Sequence, residues 1–285
     1  MFLHPSALFT AHIGQTNGRG PSPRLWRHAV HSMFAPDGSA RGHFAGDDFR
    51  SFGASAAVAS NVGRYSGDYL GYRSYEDTGD AIAQIATDRF GAITFTSAAT
   101  DNNESWLQPG AAASVMGLIS DTAGDDRLLV FECRVKVGQL VEIAAFWGLT
   151  EEGLAAADTL VDDTGALASK DMIGFHVPAH ASVAKVDFVY RKAGQTAQVI
   201  IDDLSTLVAD TYVKFGFLYD PLAPTSKRIA VFLDGEEQST YVTGTNIAAA
   251  TFPDGEELQP LFGQKVGAAA AKTSTLDWWY FYQAE

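Results

Sequence analysis

Short runs of alternating apolar and polar residues, separated by turn residues, recur through most of the chain. In Lys227–Glu237 (KRIAVFLDGEE), Ile229, Val231 and Leu233 alternate with Ala230 and Phe232, which predicts a strand apolar on both faces. Asp234-Gly235 ends that run with a residue pair suited to a two-residue hairpin, and Glu236-Glu237 reads as its solvated exit. In Leu128–Val137 (LLVFECRVKV), Leu129, Phe131, Cys133, Val135 and Val137 share one face, while Glu132, Arg134 and Lys136 share the other. Val141–Leu149 is expected to follow as its partner strand. Further strands are predicted over 81–86, 92–96, 111–119, 173–177, 185–191, 197–201, 212–219 and 276–283. A short helix is expected over Glu151–Leu160, and a long loop between Glu237 and the final aromatic strand.

About a dozen strands and almost no helix specify an all-β sandwich. The final strand contains Trp278-Trp279, which must send one ring to each face, so at least one is core. Residues 1–46 differ from the rest. Glycines and prolines from Gly14 to Gly46 interrupt every periodic pattern, yet Phe2, Phe9, Trp26, Phe34 and other apolar residues are too many for a solvated tail. The division is therefore an N-terminal arm over 1–46 and a sandwich over 47–285. Two readings of the arm stand: packing on its own domain, or ordering against a neighbouring subunit.

Charge separates the same two parts. Residues 1–50 hold five arginines against three aspartates, a net +2, while the whole chain of 285 residues carries −14. The body is thus strongly acidic, which excludes nucleic acid as a partner. No run reaches the 18 or so apolar residues of a membrane span, and no cationic segment precedes an apolar core at the N-terminus. Cys133 is the sole cysteine, so neither an internal disulfide nor a cysteine zinc site is available.

Catalytic patterns are missing. Retaining glycoside hydrolysis needs two carboxyl groups about 5–5.5 Å apart, but Glu132 and Glu142 are isolated on their strands. No Gly-x-Ser-x-Gly elbow and no phosphate loop occurs. His176 and His180 have zinc-like spacing, but Pro178 forbids the helix that would align them. The expectation is a protein that is not an enzyme and needs no cofactor. Ca²⁺ is the one metal candidate, on the oxygen-rich loops Asp101–Glu104, Asp121–Asp126 and Asp162-Asp163. For glycans, Trp106, Trp147 and the tyrosines at 65–75 are candidate stacking platforms, although aromatics in a sandwich are more often core.

The order of the last strands is more specific: Phe217–Asp220, then the strand closing in Asp234-Gly235, then one beginning Leu276-Asp277-Trp278. Over about Phe49–Glu285 this resembles concanavalin-A-like jelly rolls, the family of legume-type lectins, laminin-G-like modules and some glucanases. The glucanases' Glu-x-Asp-x-x-Glu motif is absent here. The stretches DTGDAIAQIATDRFG, ATDNNES, DDTGALASKDMIGF, VDFVYRKAGQT, LVADTYVKFGF, TSKRIAVFLDG, ATFPDGEEL and DWWYFYQAE are also similar to structural proteins of tailed-bacteriophage virions, including head decoration or cement proteins. That resemblance covers most of the body but not the arm. It implies a location on the outer capsid surface, with the major capsid protein and sister subunits, in a homotrimer, as partners. The residues expected to dock the arm are Phe2, Phe9, Arg19, Arg24, Trp26, Arg27, Phe34 and Arg41. The competing expectation is a lectin-like glycan-binding module of a head fibre or tail.

Overall fold

The computed structural model describes residues 19–33, 42–59, 62–67, 70–87, 91–110, 116–179 and 183–285. The first element among the described residues is helix α1 (Pro23–Met33), and the strands follow it. Those of the first half are β1 (Gly42–Asp47), β2 (Gly53–Ala59), β3 (Val62–Ser66), β4 (Gly71–Glu76), β5 (Ala81–Gln84), β6 (Ile93–Ser97), β7 (Glu104–Pro109) and β8 (Gly117–Leu118). Next come β9 (Leu129–Val137), β10 (Ile143–Thr150), β11 (Met172–Val177), β12 (Lys185–Arg191) and β13 (Gln198–Thr206). The chain finishes with β14 (Val213–Tyr219), β15 (Ile229–Leu233), β16 (Glu236–Val242), the one-turn helix α2 (Gly244–Ile247), β17 (Glu257–Val266) and β18 (Lys272–Ala284).

These strands form two antiparallel sheets. Sheet A runs β5-β6-β18-β9-β14-β15-β16, with β1 also paired to β18. Sheet B runs β2-β3-β4-β7-β17-β10-β11-β12-β13, with β8 also paired to β17. The chain is therefore an all-β sandwich, as its strand pattern predicts. Aromatic rings lock the two inner faces together: Trp147 stacks on Phe215 at 5.9 Å, Phe175 meets Phe215 at 5.0 Å, and Phe262 meets Trp279 at 5.7 Å. Such offset contacts add to the burial of the large side chains themselves. A polar relay crosses the same layer, because Trp279 Nε1 donates to the Tyr72 hydroxyl (3.1 Å), which donates to Asp47 (2.9 Å).

Several expectations are corrected. Leu128–Val137 and Val141–Leu149 are not partners: β9 pairs with β14 and β18 in sheet A, whereas β10 pairs with β11 and β17 in sheet B. The loop expected after Glu237 contains β16 and β17. Both were concealed, the first by its polar, solvent-facing sequence and the second by Pro260 in mid-run. Pro260 is tolerated because β8 pairs with 257–258 and β7 with 262–265, leaving 259–261 unpaired along that edge. Glu151–Leu160 forms turns and no helix, with Gly153 (φ 80°) and Asp158 (φ 58°) in left-handed conformations. Its apolar residues Leu154, Ala155 and Leu160 instead cover the outer face of sheet B, against Phe146 and Leu261. The strand expected over 111–119 is described only in part, as β8.

The Asp234-Gly235 turn is where it was expected, with both residues at positive φ (50° and 82°). It joins β15 to an exposed edge strand, not to a second core strand. A side chain on Gly235 would also meet Ser22, its Oγ at 2.7 Å from the new Cβ. Gly235→Val is expected to lower stability by about 1–3 kcal/mol through backbone strain and that clash. Chemical denaturation checks it; an unchanged midpoint would mean that neither constraint operates.

Candidate functional site

Residues 19–33 do not form an irregular arm. Pro23 is the first residue of α1, a position where its missing N–H costs nothing and its fixed φ suits a helix. The Ser22 carbonyl accepts the Trp26 N–H (3.0 Å) and so begins the helix. The helix buries Leu25, Trp26 and Ala29 against the outer face of sheet A, on Val130, Leu218, Ala230, Phe232 and Tyr282. Gly216 of β14 makes room, because a Cβ there would run into Leu25.

Charge completes this attachment. Glu132 of β9 is fully buried and accepts the Ser22 N–H (2.9 Å) and the Trp26 indole N–H (2.7 Å). A carboxylate at a helix N-terminus is favoured by the free N–H groups there, yet burial dominates and pushes the Glu132 pKa up, against the Ser22 and Trp26 bonds and the Lys214 charge. Beside it, Asp277 is wholly buried at a bulge in β18 and is paired with both Arg19 and Arg134. Arg24 pairs with Glu236 at the surface.

Of the eight predicted docking residues, Arg19, Arg24 and Trp26 are thus engaged with their own sandwich. Arg27 lies exposed on α1 beside a cleft of about 250 Å³ with Arg24, Lys227 and Tyr241. Phe2, Phe9, Phe34 and Arg41 lie outside the described residues. For residues 19–33 and 42–46, packing on the parent domain is what the structure contains.

The outer face of sheet B carries a second charged cluster. The oxygen-rich loops at 101–104 and 162–163 do come together: Asn102 and Asp163 exchange two hydrogen bonds, of 3.0 and 2.8 Å. Between them lies Lys265, whose Nζ is 2.6 Å from Asp162, 3.5 Å from Glu104 and 3.8 Å from Asp158. An ammonium group therefore lies among the carboxylates of these loops. In the 121–126 loop, Asp126 accepts the Gly124 N–H (3.0 Å), a local turn bond. A grouping missed in the sequence, Asp187, Asp202 and Asp203, gathers oxygens within 4.8 Å at the β12–β13 bulge. There Lys185 pairs with Asp203, and Asp187 accepts the Asp203 N–H (2.9 Å).

An acid pair, Glu151 and Asp171, lies where β10 ends and β11 begins, with a hydrogen bond between the two carboxyl groups. Glu151 and Asp171 line an acidic cleft of about 460 Å³ with Glu152, Glu256 and Glu257. Burial raises the Asp171 pKa, but its carboxylate accepts the Ala193 N–H (3.1 Å) and Glu151 accepts the Asp171 N–H (3.1 Å). Both acids close strand ends. His176 is buried on the Gly165 carbonyl (2.7 Å), and burial pushes the Cys133 thiol pKa well up. The glycan-platform candidates Trp106, Trp147, Tyr65 and Tyr72 are buried, Tyr75 is half-buried with its hydroxyl donating to Asp77, Tyr69 lies outside the described residues, and both Trp278 and Trp279 are core.

No protein-family model matches the chain, and no curated protein matches it. Among solved structures, a protein of unknown function from Shewanella oneidensis MR-1 aligns over 100% of this chain and 95% of its own. The TM-score is 0.52 at 15% identity, a likeness of fold. Peanut lectin aligns over 85% of this chain and 98% of its own (TM-score 0.49, 13% identity). A carbohydrate esterase of a Shiga toxin-encoding bacteriophage aligns over 75% and 90% (TM-score 0.42, 13% identity). The architecture is an all-β sandwich of two antiparallel sheets.

Two predictions follow from these clusters. Glu132→Ala leaves two buried N–H donors without an acceptor and is expected to cost about 2–4 kcal/mol, with Glu132→Gln markedly milder because one acceptor oxygen remains. Equal midpoints for the two variants in urea would refute the clamp. The second concerns Glu104, which is buried against Lys265, Trp106 Nε1 and the Asp158 N–H. Burial lifts its pKa from 4.5 to about 7 despite those partners. The folded state then holds this proton more tightly than the unfolded chain does. Its contribution is full below pH 4.5 and is lost as pH rises through about 7. Between about pH 5 and pH 8 the parent protein should lose more unfolding free energy than Glu104→Gln, by at most about 3 kcal/mol. Urea melts at each pH measure this, and parallel losses would contradict it.

Proposed function

We propose that the chain is a non-enzymatic structural protein of a tailed-phage virion, a decoration or cement protein on the outer capsid surface. The observation that carries this reading is the clamped root of the arm. Residues 19–33 are fixed to sheet A by Trp26, Glu132 and the Arg19–Asp277–Arg134 cluster, so residues 1–18 issue from a defined point on an acidic body. That arrangement suits an N-terminal segment without Lys or Arg, carrying Phe2, Leu3, Leu8, Phe9 and Ile13, docking through apolar contacts on the major capsid protein and on sister subunits in a homotrimer, with the sandwich as a rigid outer mass. The resemblance of sequence stretches such as TSKRIAVFLDG and DWWYFYQAE to virion structural proteins supports it. So does the structural use of the buried acids Glu132, Glu104 and Asp277.

The clamp also dictates the test. Removing the whole arm would strip α1 from sheet A and unseat Glu132, so the deletion must end at residue 18. Full-length protein should co-sediment with undecorated phage capsids. The chain lacking residues 1–18 should remain in the supernatant while melting at the same temperature. Full occupancy by the truncated chain would refute docking through the arm, and failure of the full-length chain to bind would refute the capsid role.

A further inference from the structure

The turn between β14 and β15 presents a leucine that its own chain leaves in water: Leu222 is 91% exposed. Its backbone is nonetheless fixed. The Leu222 N–H donates to Asp220 Oδ1 (2.9 Å), the Ala223 N–H to the Asp220 carbonyl (3.1 Å), and the Asp220 N–H to the Arg228 carbonyl (3.0 Å). Pro221 and Pro224 restrict the same turn. A side chain held out by so rigid a turn has little backbone entropy left to lose on being buried. The cleft beside the turn is lined by Arg24, Arg27 and Lys227 against Asp220 and Glu237, a small positive excess on a chain of −14. Lys227 Nζ lies over the Tyr241 ring, 4.6 Å from its centre, which holds that charge at the rim.

On the other flank of α1 is a cleft of opposite character. Phe44 of β1 stacks on Tyr280 of β18 (5.9 Å, 21° between planes), and Trp26 closes the cluster edge-on. Phe44 keeps 45% of its surface exposed. With Leu70, Phe44 and Tyr280 line an open cleft of about 610 Å³, whose charged residues are Asp47, Asp48 and Arg50, a small negative excess. We propose that the Leu222 turn of one copy seats in the Phe44 cleft of the next, a head-to-tail contact between copies of this chain. Shape and charge both match, because an apolar knob rimmed by cations meets an apolar socket rimmed by carboxylates. One copy cannot satisfy itself, since α1 separates the two clefts: Arg24 and Arg27 line one, while Trp26 touches the rings of the other. Copies joined in this way close into a ring where the rotation allows it. The contact rests on the homotrimer proposed above only for the fact of self-association; it requires neither the capsid nor residues 1–18. Both halves were hidden in the sequence, where Pro221–Pro224 reads as an ordinary loop and Phe44 as part of the arm.

Sedimentation velocity of the full-length protein, without capsids, tests it. The parent should associate in the micromolar range, and Leu222→Asp and Phe44→Arg should each weaken that association about thirtyfold. Val208→Asp, at an exposed apolar residue outside both clefts, should leave it unchanged. Asp48→Lys reverses a rim charge without touching the rings and should also weaken association, which guards against a loss caused by misfolding of Phe44→Arg. The decisive sample is an equimolar mixture of Leu222→Asp with Phe44→Arg, or with Asp48→Lys if Phe44→Arg melts early. One variant keeps a sound socket and the other a sound knob, so the mixture should form heterodimers and nothing larger, while each variant alone stays monomeric. A parent that is monomeric at about 0.1 mM, a Leu222→Asp variant that associates like the parent, or a mixture that stays monomeric would overturn the proposal. So would loss of capsid co-sedimentation by Leu222→Asp with self-association intact, which would put a capsid protein in place of the second copy. Because self-association is read without capsids, failure of this contact leaves the capsid role standing.

Discussion

The attachment of residues 19–33 depends on one buried carboxylate. Glu132 projects from the outer face of a central strand, where a charge is costly unless its hydrogen bonds are met. It is met by two groups from the arm, the Ser22 N–H and the Trp26 indole. Removing the helix would therefore do more than expose apolar surface; it would leave a desolvated acid in the middle of a sheet. The same logic applies at Asp277, where two arginines, one from the arm and one from β9, neutralise a fully buried aspartate. Buried pairs of this kind are weak sources of net stability but strong determinants of which partner goes where. They hold the arm on one particular face.

The two outer faces of the sandwich are covered by different means. On sheet A a helix lays its apolar side over Val130, Leu218 and Phe232. On sheet B a loop without helix or sheet does so, held at its polar end by Glu104 and Lys265. In both, a buried ionisable group of the sheet fixes the segment that covers it. The cleft at Phe44 lies at the margin of the first cover, beside Trp26 in the first turn of α1, where the ring cluster reaches solvent.

Strands whose side chains alternate, or whose runs are aromatic, were legible in the sequence: β9, β12, β14, β15 and β18 lie close to their expected positions. Three kinds of element were not. β17 contains Pro260 and Gly263 and reads as a loop until one sees that β7 and β8, on one edge, leave a gap opposite the proline while β10 pairs along the other. β16 is an edge strand whose residues face water, so it has no apolar signal. α1 was obscured because Pro21 and Pro23 read as breakers, although Ser22-Pro23 before Leu25-Trp26 is also the signature of a helix start. Pairing was least legible of all, since strands adjacent in sequence, β9 and β10, belong to opposite sheets. At the sites, the acidic loops announced a metal candidate, but no local pattern revealed that Lys265, about a hundred residues away in sequence, would lie between them.

The position of β18 has a consequence for how the chain reaches this state. The last strand in sequence is an interior strand of sheet A, lying between β9 on one side and β6 and β1 on the other. During synthesis β9 has its β14 neighbour long before residues 272–284 leave the ribosome, and until then its other edge is open. Sheet A closes only through contacts that join the two ends of the chain, such as Gly42 with Ala284. High contact order of this kind makes folding slow. In the interval β9 carries an unpaired interior edge, the kind of edge on which a foreign strand can pair.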